Sequence, residues 1–516
     1  MRMKWAVILS FLMTAVLAQS WTPQVEAASP ERGRTASSLA ASDWSTPVNI
    51  SKTNADSYTP RIGVDKNGKA YVIWSDWTDV PRVVYFSTNK SGQWAAAQTV
   101  YNMEYESVEA CFPSLATTAE GECHLSLQDV DQSYDIFYFQ YKDNAWKTPE
   151  NVSTNPTGAS VYSSITVSPM DDYAYIIWQD EFVNEWDLLY SHRAPDTTFG
   201  WEWPQLIPLF GGHMYFPNAT VDGQGTLHLV FHTREGENST VWYTKNATPR
   251  NNANWTSPVP VGPNVGSEWS YPMIAGDDNG EVYVVWNGRT GQGARDVFLR
   301  KTVNKSWQAI ENISQSQENS AGVCVAVNRS TGEIYVGWHE IVGSNWQVML
   351  KSFERPRASD EKTWSSAVNL SNSNAMAAWP RMAIAENGDI HLVYADEKSG
   401  NMEIYYTFKL KILVFSPINL SLKTSYNKVL FYNEKINTIT FDKNPENDDS
   451  LVASYKLYRK LASESNNKFQ LLATLTPSTF KYDDRQLPHA TKYAYTVTMV
   501  DADGNESRIT DVVAEK

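Results

Sequence analysis

Cysteine is nearly missing from this chain. Three residues, Cys111, Cys123 and Cys324, are spread over 516 positions. That excludes a disulfide-stapled scaffold, and an odd count leaves at least one thiol unpaired. Cys111 and Cys123 fall in one predicted hairpin but not at facing positions, so buried free thiols are the expected state. No CxxC pair, no Gly-x-Ser-x-Gly and no phosphate-cradling glycine loop is present, and the eight His show no zinc-like spacing. Basic charge is short as well: 43 Lys and Arg face 58 Asp and Glu, a net charge of −15. That sign argues against a nucleic-acid backbone as the main partner. The one long apolar run, Trp5 to Ala18 behind Arg2 and Lys4, is too short to span a bilayer. It reads as a secretory signal over residues 1–27, cleaved after Ala18 or Ala27. No Cys precedes Cys111, so no lipid anchor on an N-terminal Cys is expected, and no later segment is apolar enough to span a membrane. Residues 28–42 are small and polar and read as a disordered linker. Finally, although the chain has 20 Trp, none follows Trp379, which marks a change of texture.

What is abundant is a repeat. Tyr71-Val-Ile-Trp74-Ser-Asp76 returns as His124–Asp129, Tyr175–Asp180, His228–Thr233, Tyr283–Gly288, Tyr335–Glu340 and His391–Asp396. Its large fourth residue falls at 74, 127, 178, 231, 286, 338 and 394, in steps of 53, 51, 53, 55, 52 and 56. A fixed period of this length means a repeat architecture. Each copy is a β-branched and aromatic run without polar alternation, the pattern of a strand covered on both faces. Asp65-Lys-Asn-Gly68, Asp222-Gly-Gln-Gly225, Asp277-Asp-Asn-Gly280 and Glu386-Asn-Gly388 stand just upstream. There Asp or Asn starts a turn and Gly takes the positive φ that closes a hairpin. Each repeat therefore opens with antiparallel strands A and B. A strand C follows, carrying Tyr85, Tyr138, Tyr190, Tyr243, Phe298, Met349 or Tyr405, and then a Trp-headed strand D, marked by Trp94, Trp146, Trp203, Trp255, Trp307 and Trp364.

The seventh repeat stops after strand C, while an orphan D-type segment, Trp44-Ser-Thr-Pro-Val-Asn-Ile-Ser51, precedes the first. Seven A–B–C units and seven D strands, one displaced to the front, make a closed ring. Residues 43–411 are thus predicted to form a seven-bladed β-propeller whose N-terminal strand completes the last blade.

In such a ring the starts of the A strands and the ends of the B strands share one face around the channel. The A strands are preceded by Tyr58-Thr-Pro60-Arg61, Phe112-Pro113, Tyr162, Phe216-Pro217, Tyr271-Pro272 and Trp379-Pro380-Arg381, and blade 6 breaks the pattern with Ala321-Gly322. From this rim the candidate ligand-binding residues are Arg61, Asp76, Trp77, Asp180, His232, Arg234, Arg289, His339, Glu340, Arg381 and Asp396. Aromatic faces stack on sugar rings, and Arg and carboxylates bond hydroxyls, so the rim suits a glycan. Two carboxylates at suitable separation could also hydrolyse one. The acids recur because the repeat recurs, which favours a structural role for Asp76, Asp180 and Asp396. The non-repeated Arg61, Trp77, His232, Arg234, Arg289, His339 and Arg381 are the better functional candidates. No catalytic residue is singled out and no cofactor is expected; Ca²⁺ is the natural cation if the acids hold one.

Ser87-Thr-Asn89-Lys-Ser91-Gly-Gln-Trp94, at the turn between strands C and D, resembles a degraded Asp-box, Ser-x-Asp-x-Gly-x-Thr-Trp. The propeller accordingly resembles the sialidase-like class of exported bacterial propellers. In true sialidases, which have six blades, the first of three substrate-binding Arg lies in Arg-Ile-Pro; Arg61-Ile-Gly63 matches its first two residues. The other two Arg and the Tyr–Glu pair have no motif here, so the resemblance implies fold and export rather than sialidase activity. Residues 414–516 resemble a fibronectin type III domain through Leu487-Pro-His-Ala-Thr-Lys-Tyr493-Ala-Tyr495-Thr-Val497, with Tyr493 as the corner tyrosine and Phe441 in place of the usual Trp. That implies a spacer or adhesion sandwich; no Arg-Gly-Asp occurs. Three readings follow: a secreted or cell-surface protein recognising an extracellular glycan, a glycoside hydrolase or polysaccharide lyase, and a protein-interaction scaffold. The first is preferred.

Overall fold

The structure, a computed structural model, describes residues 44–515 except 78–82, 103–111, 130–133, 155–157, 183–184, 198, 210–211, 236–237, 266–269, 290–292, 355–362, 411–414, 430–431, 446, 448, 450–451, 466–467, 502–505 and 508. The expected signal peptide and linker, Cys111 and the junction at 411–414 lie outside the described residues.

Strand B of every repeat is the second strand of its own antiparallel sheet, and there are seven such sheets. In blade 1 strand B, Ala70–Asp76, is buried along its whole length, and the same holds for Val282–Gly288 and Ile390–Asp396. A strand with no exposed face needs neighbours on both sides, which only the flanking blades supply. The fourth residue of the motif is the centre of each blade core: Trp74, Trp178 and Trp338 are 0 % exposed. The A strands line the middle, each touching the next blade's A strand, and strand A of blade 7 (Ala377–Ile384) touches that of blade 1 (Ser57–Val64). Val48 pairs with Tyr406 and Asn49 with Tyr405, so the N-terminal strand completes blade 7 and the ring is a seven-bladed β-propeller.

The outer strands depart from expectation in detail. Strand D of blades 2, 5 and 6 is split into two short pairings, as in Ala145–Trp146 and Glu150–Asn151, because the chain leaves strand C between them. The Trp that heads strand D packs edge-on against an aromatic of the preceding blade: Trp94 on Tyr406, Trp146 on Phe86, Trp255 on Tyr190 and Trp307 on Tyr243. In blade 3 this place belongs to Trp201, 4.9 Å from Tyr138, and not to Trp203, which is 79 % exposed.

The first residue of the motif ties the opposite face. Tyr71 and Tyr283 donate to the turn carboxylates Asp65 and Asp277, and His228 bridges Asp222 Oδ2 (3.0 Å) and Tyr243 Oη (2.8 Å). Gly68, Gly225, Gly280 and Gly388 have the positive φ that the turns require.

Beyond the propeller, a three-stranded and a four-stranded antiparallel sheet enclose a second core around Phe441, Tyr455, Leu457, Tyr495 and Val497. Among the described residues their strands pair only with one another, Ile418–Val429, Tyr432–Asp442 and Lys481–Leu487 in one sheet and Gln470–Leu475, Val452–Leu461, Tyr493–Asp501 and Val513–Ala514 in the other, an immunoglobulin-like sandwich. The expected corner role of Tyr493 is not what is observed. Tyr493 is half-buried under Arg459. The fully buried tyrosine is Tyr495, whose hydroxyl donates to the Asp484 carboxylate (2.7 Å) and accepts from Asn437 Nδ2 (2.9 Å). Alternation explains the outcome: 493 and 495 share a face, and the one nearer the strand centre goes deeper. Among the described residues no helix is long and apolar enough to cross a membrane.

Candidate functional site

The mouth of the channel is built by a bulge at the start of the A strands. Pairing slips between Tyr58 and Arg61, Val161 and Ser164, Tyr215 and Asn218, Ala321 and Cys324, and Ala378 and Arg381. Within these bulges Thr59, Tyr162, Phe216 and Trp379 have φ of 49, 53, 51 and 55°, Gly322 has 60°, and Phe112 of blade 2 has 38°. Left-handed backbone is strained for every side chain here but glycine, and such strain gathers at ligand sites. It recurs at the A-strand starts of blades 1 to 4, 6 and 7.

Over blades 2 to 4 these side chains, joined by Tyr271 of blade 5, form an aromatic arc. Phe112 lies 4.9 Å from Tyr162, Tyr162 4.6 Å from Phe216, and Phe216 4.5 Å from Tyr271, ring centre to ring centre. Across blades 7 and 1, Trp379 meets Tyr58 edge-on at 5.4 Å, and Tyr58 lies 4.8 Å from Trp77. Burial pushes the hydroxyls of Tyr58 and Tyr271 up to about 12, so both stay protonated donors; Asp56 and Glu397 add to the first shift, and Arg295 opposes the second.

One step deeper, facing the third residue of strand B, stand Arg61, Ser114, Ser164, Asn218, Met273, Cys324 and Arg381. Ser114, Ser164 and Asn218 accept backbone amides of the next blade, from Ile165, Ala219 and Ile274. Blades 7 and 1 place guanidinium groups instead. Arg61 Nη1 donates to Pro60 O (3.0 Å) and Arg381 Nη1 to Pro380 O (2.7 Å). Burial pushes the Cys324 thiol up to about 11, while Arg381 and Arg61 both pull it back, which puts all three on one sector of the wall. Arg381 is lowered by its own burial, its Nε has no hydrogen-bond partner, and no carboxylate pairs with it among the described residues. Buried cationic donors without an anion are costly.

The predicted acids are engaged by partners within their own blades. Asp180 accepts from the core indole of Trp178 (2.9 Å) and from Ser160 Oγ (2.6 Å). Glu340 repeats the arrangement with Trp338 (2.7 Å) and Ser320 (3.4 Å). Asp76 accepts from Ser57 (2.7 Å), and burial pushes it up to about 6. Asp396, fully buried, takes Ser373 Oγ (2.7 Å) and Lys398 Nζ (3.2 Å).

The fifth motif residue serves the bulge of the next blade. Gln128 Oε1 accepts the Tyr162 amide (2.9 Å), Gln179 Oε1 the Phe216 amide (3.3 Å), and His339 Nδ1 the Trp379 amide (3.2 Å). Burial holds His339 down to about 3, with Arg381 and Arg295 adding to it. His232, 0 % exposed between Tyr215 and Phe216, is likewise held to about 3 by burial. Arg234 bears on Tyr215, and Arg289 donates to Gly293 O of its own loop.

The mouth therefore brings together Arg61, Trp77, His339 and Arg381 of the predicted set. Arg295 and Trp346 join them, and neither was singled out in the sequence. Arg295 comes from an irregular Gly-containing loop without motif, and Trp346 from an outer strand whose register only the fold reveals. Among the described residues no group of three or more His, Cys, Asp or Glu is gathered as metal ligands.

No protein-family model matches the sequence, and no curated protein matches it. Solved structures do. The Hadza microbial sialidase Hz136 is 11 % identical, with 64 % of this chain and 74 % of that one covered at a TM-score of 0.42. An ulvan lyase of polysaccharide lyase family PL25 is 13 % identical over 70 % and 95 %, TM-score 0.48. The intramolecular trans-sialidase from Ruminococcus gnavus is 12 % identical over 70 % and 97 %, TM-score 0.39. Likenesses this distant say nothing of activity, and the propeller assignment rests on the chain's own strand pairing.

Proposed function

We propose that this protein is exported and binds an acidic glycan at the mouth of its propeller, with the C-terminal sandwich acting as a fibronectin type III spacer. The observation that carries the reading is Arg381: a guanidinium on the channel wall, beside Arg61, with a buried Nε that has no acceptor. An anionic group entering the mouth would pair the rest of this half-buried guanidinium, which no carboxylate of the described residues neutralises, since guanidinium pairs carboxylates and sulfates through charge-assisted bonds. The aromatic arc supports a sugar rather than a bare ion, because ring faces cover the apolar faces of pyranoses. Export is supported by the apolar run behind Arg2 and Lys4. Binding is favoured over hydrolysis because Asp76, Asp180, Glu340 and Asp396 are engaged inside the blades.

The test is a glycan array probed with the full chain, followed by product analysis on every ligand that binds. Acidic glycans should be retained intact, and Arg381→Gln should lose them. Release of sugar or of an unsaturated product would replace binding with catalysis. Retention of neutral glycans only, or of none, would overturn the reading.

A further inference from the structure

Blade 6 is the exception in the aromatic belt, and the exception is filled. A Cβ built on Gly322 would sit 2.1 Å from His339 Cε1 and 2.3 Å from Nδ1. The imidazole from strand B therefore occupies the space where other blades put an aromatic from strand A. Gly322 is needed twice, for its φ of 60° and for this contact. The ring is held edge-on by Trp346 at 4.8 Å and by Trp379 at 6.1 Å.

The hydrogen bond from the Trp379 amide fixes more than the position of the ring. A backbone N–H can only donate, so His339 Nδ1 is the acceptor and carries no proton. A neutral ring then bears its hydrogen on Nε2. That atom has no partner among the described residues and is not sealed from solvent, unlike Nε2 of His124 and His391. Where blade 4 places the all-carbon ring of Phe216, blade 6 places a ring with a polar N–H, near Arg381.

We propose that His339 is a ligand-contacting residue, its Nε2–H forming with the Arg381 guanidinium the donor pair that receives the acidic group of the bound sugar. This rests on the acidic-glycan reading above and adds to it the position of the charged group: over Gly322, between blades 6 and 7. The sugar ring then extends toward the aromatic arc of blades 2 to 5, which orients the chain across the mouth.

Two substitutions at one position test this. Gln and Glu both offer an oxygen to the Trp379 amide, the role Gln128 and Gln179 play for their own neighbours, so both keep the internal bond. Only Gln still offers a donor to the mouth; Glu puts a negative charge there. The probes are sialyllactose, glucuronate oligomers and oligogalacturonate, with lactose and cellobiose as neutral controls, titrated against the full chain by calorimetry. Thermal denaturation is run alongside. We expect His339→Gln to weaken the acidic probe that binds by about threefold and His339→Glu by about 30-fold or more, the loss of a charge-assisted contact. Both variants should melt within a few degrees of wild type. Equal behaviour of the two would assign His339 a purely internal role and overturn the inference while leaving the acidic-glycan reading intact. Failure of wild type to bind any acidic probe would overturn both.

Discussion

The indole N–H of Trp178 donates to Asp180 Oδ2 at 2.9 Å, two residues along the same strand. Both lie at the centre of a blade, and Ser160 adds a second donor to the same oxygen at 2.6 Å. In blades 3 and 6 the recurrent acid is thus the partner of the recurrent indole, although in blade 1 the Trp74 indole nitrogen is buried without a partner while Asp76 takes Ser57. Blade 5 gives the converse: Gly288 stands where the acid would be, and the indole nitrogen of Trp286 is buried with no partner.

Asp180→Ala should therefore destabilise the propeller by about 2 kcal/mol, the usual effect of stranding a buried donor. Urea denaturation would show it as a lowered midpoint. Glycan binding by the folded fraction should be unchanged, and a selective loss of binding at full stability would return Asp180 to the site.

Ring closure yields a second expectation. Strand C of blade 7 exposes Tyr405 and Tyr406 to pairing once the N-terminal strand is removed, and Ile404 N would lose Ser51 Oγ (2.8 Å). Deletion through Ser51 should lower thermal stability and leave an open sheet edge prone to association. A synthetic peptide of residues 43–52 added in trans should restore the melting point. A deletion variant that melts as wild type and stays monodisperse would show the ring closing without that strand.

The buried histidines set a pH dependence. His391 and His124 each share Nδ1 with a tyrosine hydroxyl, Tyr406 and Tyr138, while Nε2 is buried without a partner. Burial holds both down to about 4. An ordinary His in the unfolded chain titrates near 6.5, so the unfolded state takes up protons first as pH falls. The stability contributed by each neutral ring is complete above about pH 6.5 and is lost as pH falls toward 4, by up to about 3 kcal/mol each. Asp76 acts in the opposite direction: raised to about 6, it takes up a proton in the folded state first and offsets part of the loss below pH 6. Melting curves between pH 7 and 4.5 should fall less steeply in His391→Gln than in wild type. Parallel curves would contradict the assignment.

How much of this was legible follows from what each residue answers to. Strand B was readable because burial on both faces leaves only apolar residues to choose from, and closure was readable because Trp44 had no blade of its own. The mouth was half readable. Aromatic-Pro pairs announced the starts of the A strands, but a residue before proline is expected to be extended, and Phe112, Phe216 and Trp379 are left-handed instead. The left-handed turn is held by the preceding blade, through acceptors such as His339 Nδ1 some 40 residues away. His339 looked functional because it was unrepeated; Gln128 and Gln179, which do the same internal work, did not. Trp201 and Trp203 were interchangeable in the sequence, two residues apart with similar neighbours, and only contact with Tyr138 decides between them.

The C-terminal sandwich supplies the last expectation. Lys435 is 2 % and Glu515 6 % exposed along their side chains, and they form a 2.5 Å ion pair; Lys435 also donates to Thr491 O (2.7 Å). Glu515 further accepts the Tyr493 amide (3.1 Å) and, through the same Oε1, Asn437 Nδ2. This one carboxylate thus holds three donors from two strands. Glu515→Ala leaves an ammonium buried with a single carbonyl and should destabilise the sandwich by about 3–5 kcal/mol. Converting the pair together, Lys435→Met with Glu515→Leu, removes both charges and should recover much of that loss. Calorimetric scans of the full chain would separate the two outcomes, since the propeller carries its own cores and its transition should not move. If Glu515→Ala lowered the propeller transition equally, the two parts would unfold as one cooperative unit. The ion pair would then stabilise the whole chain.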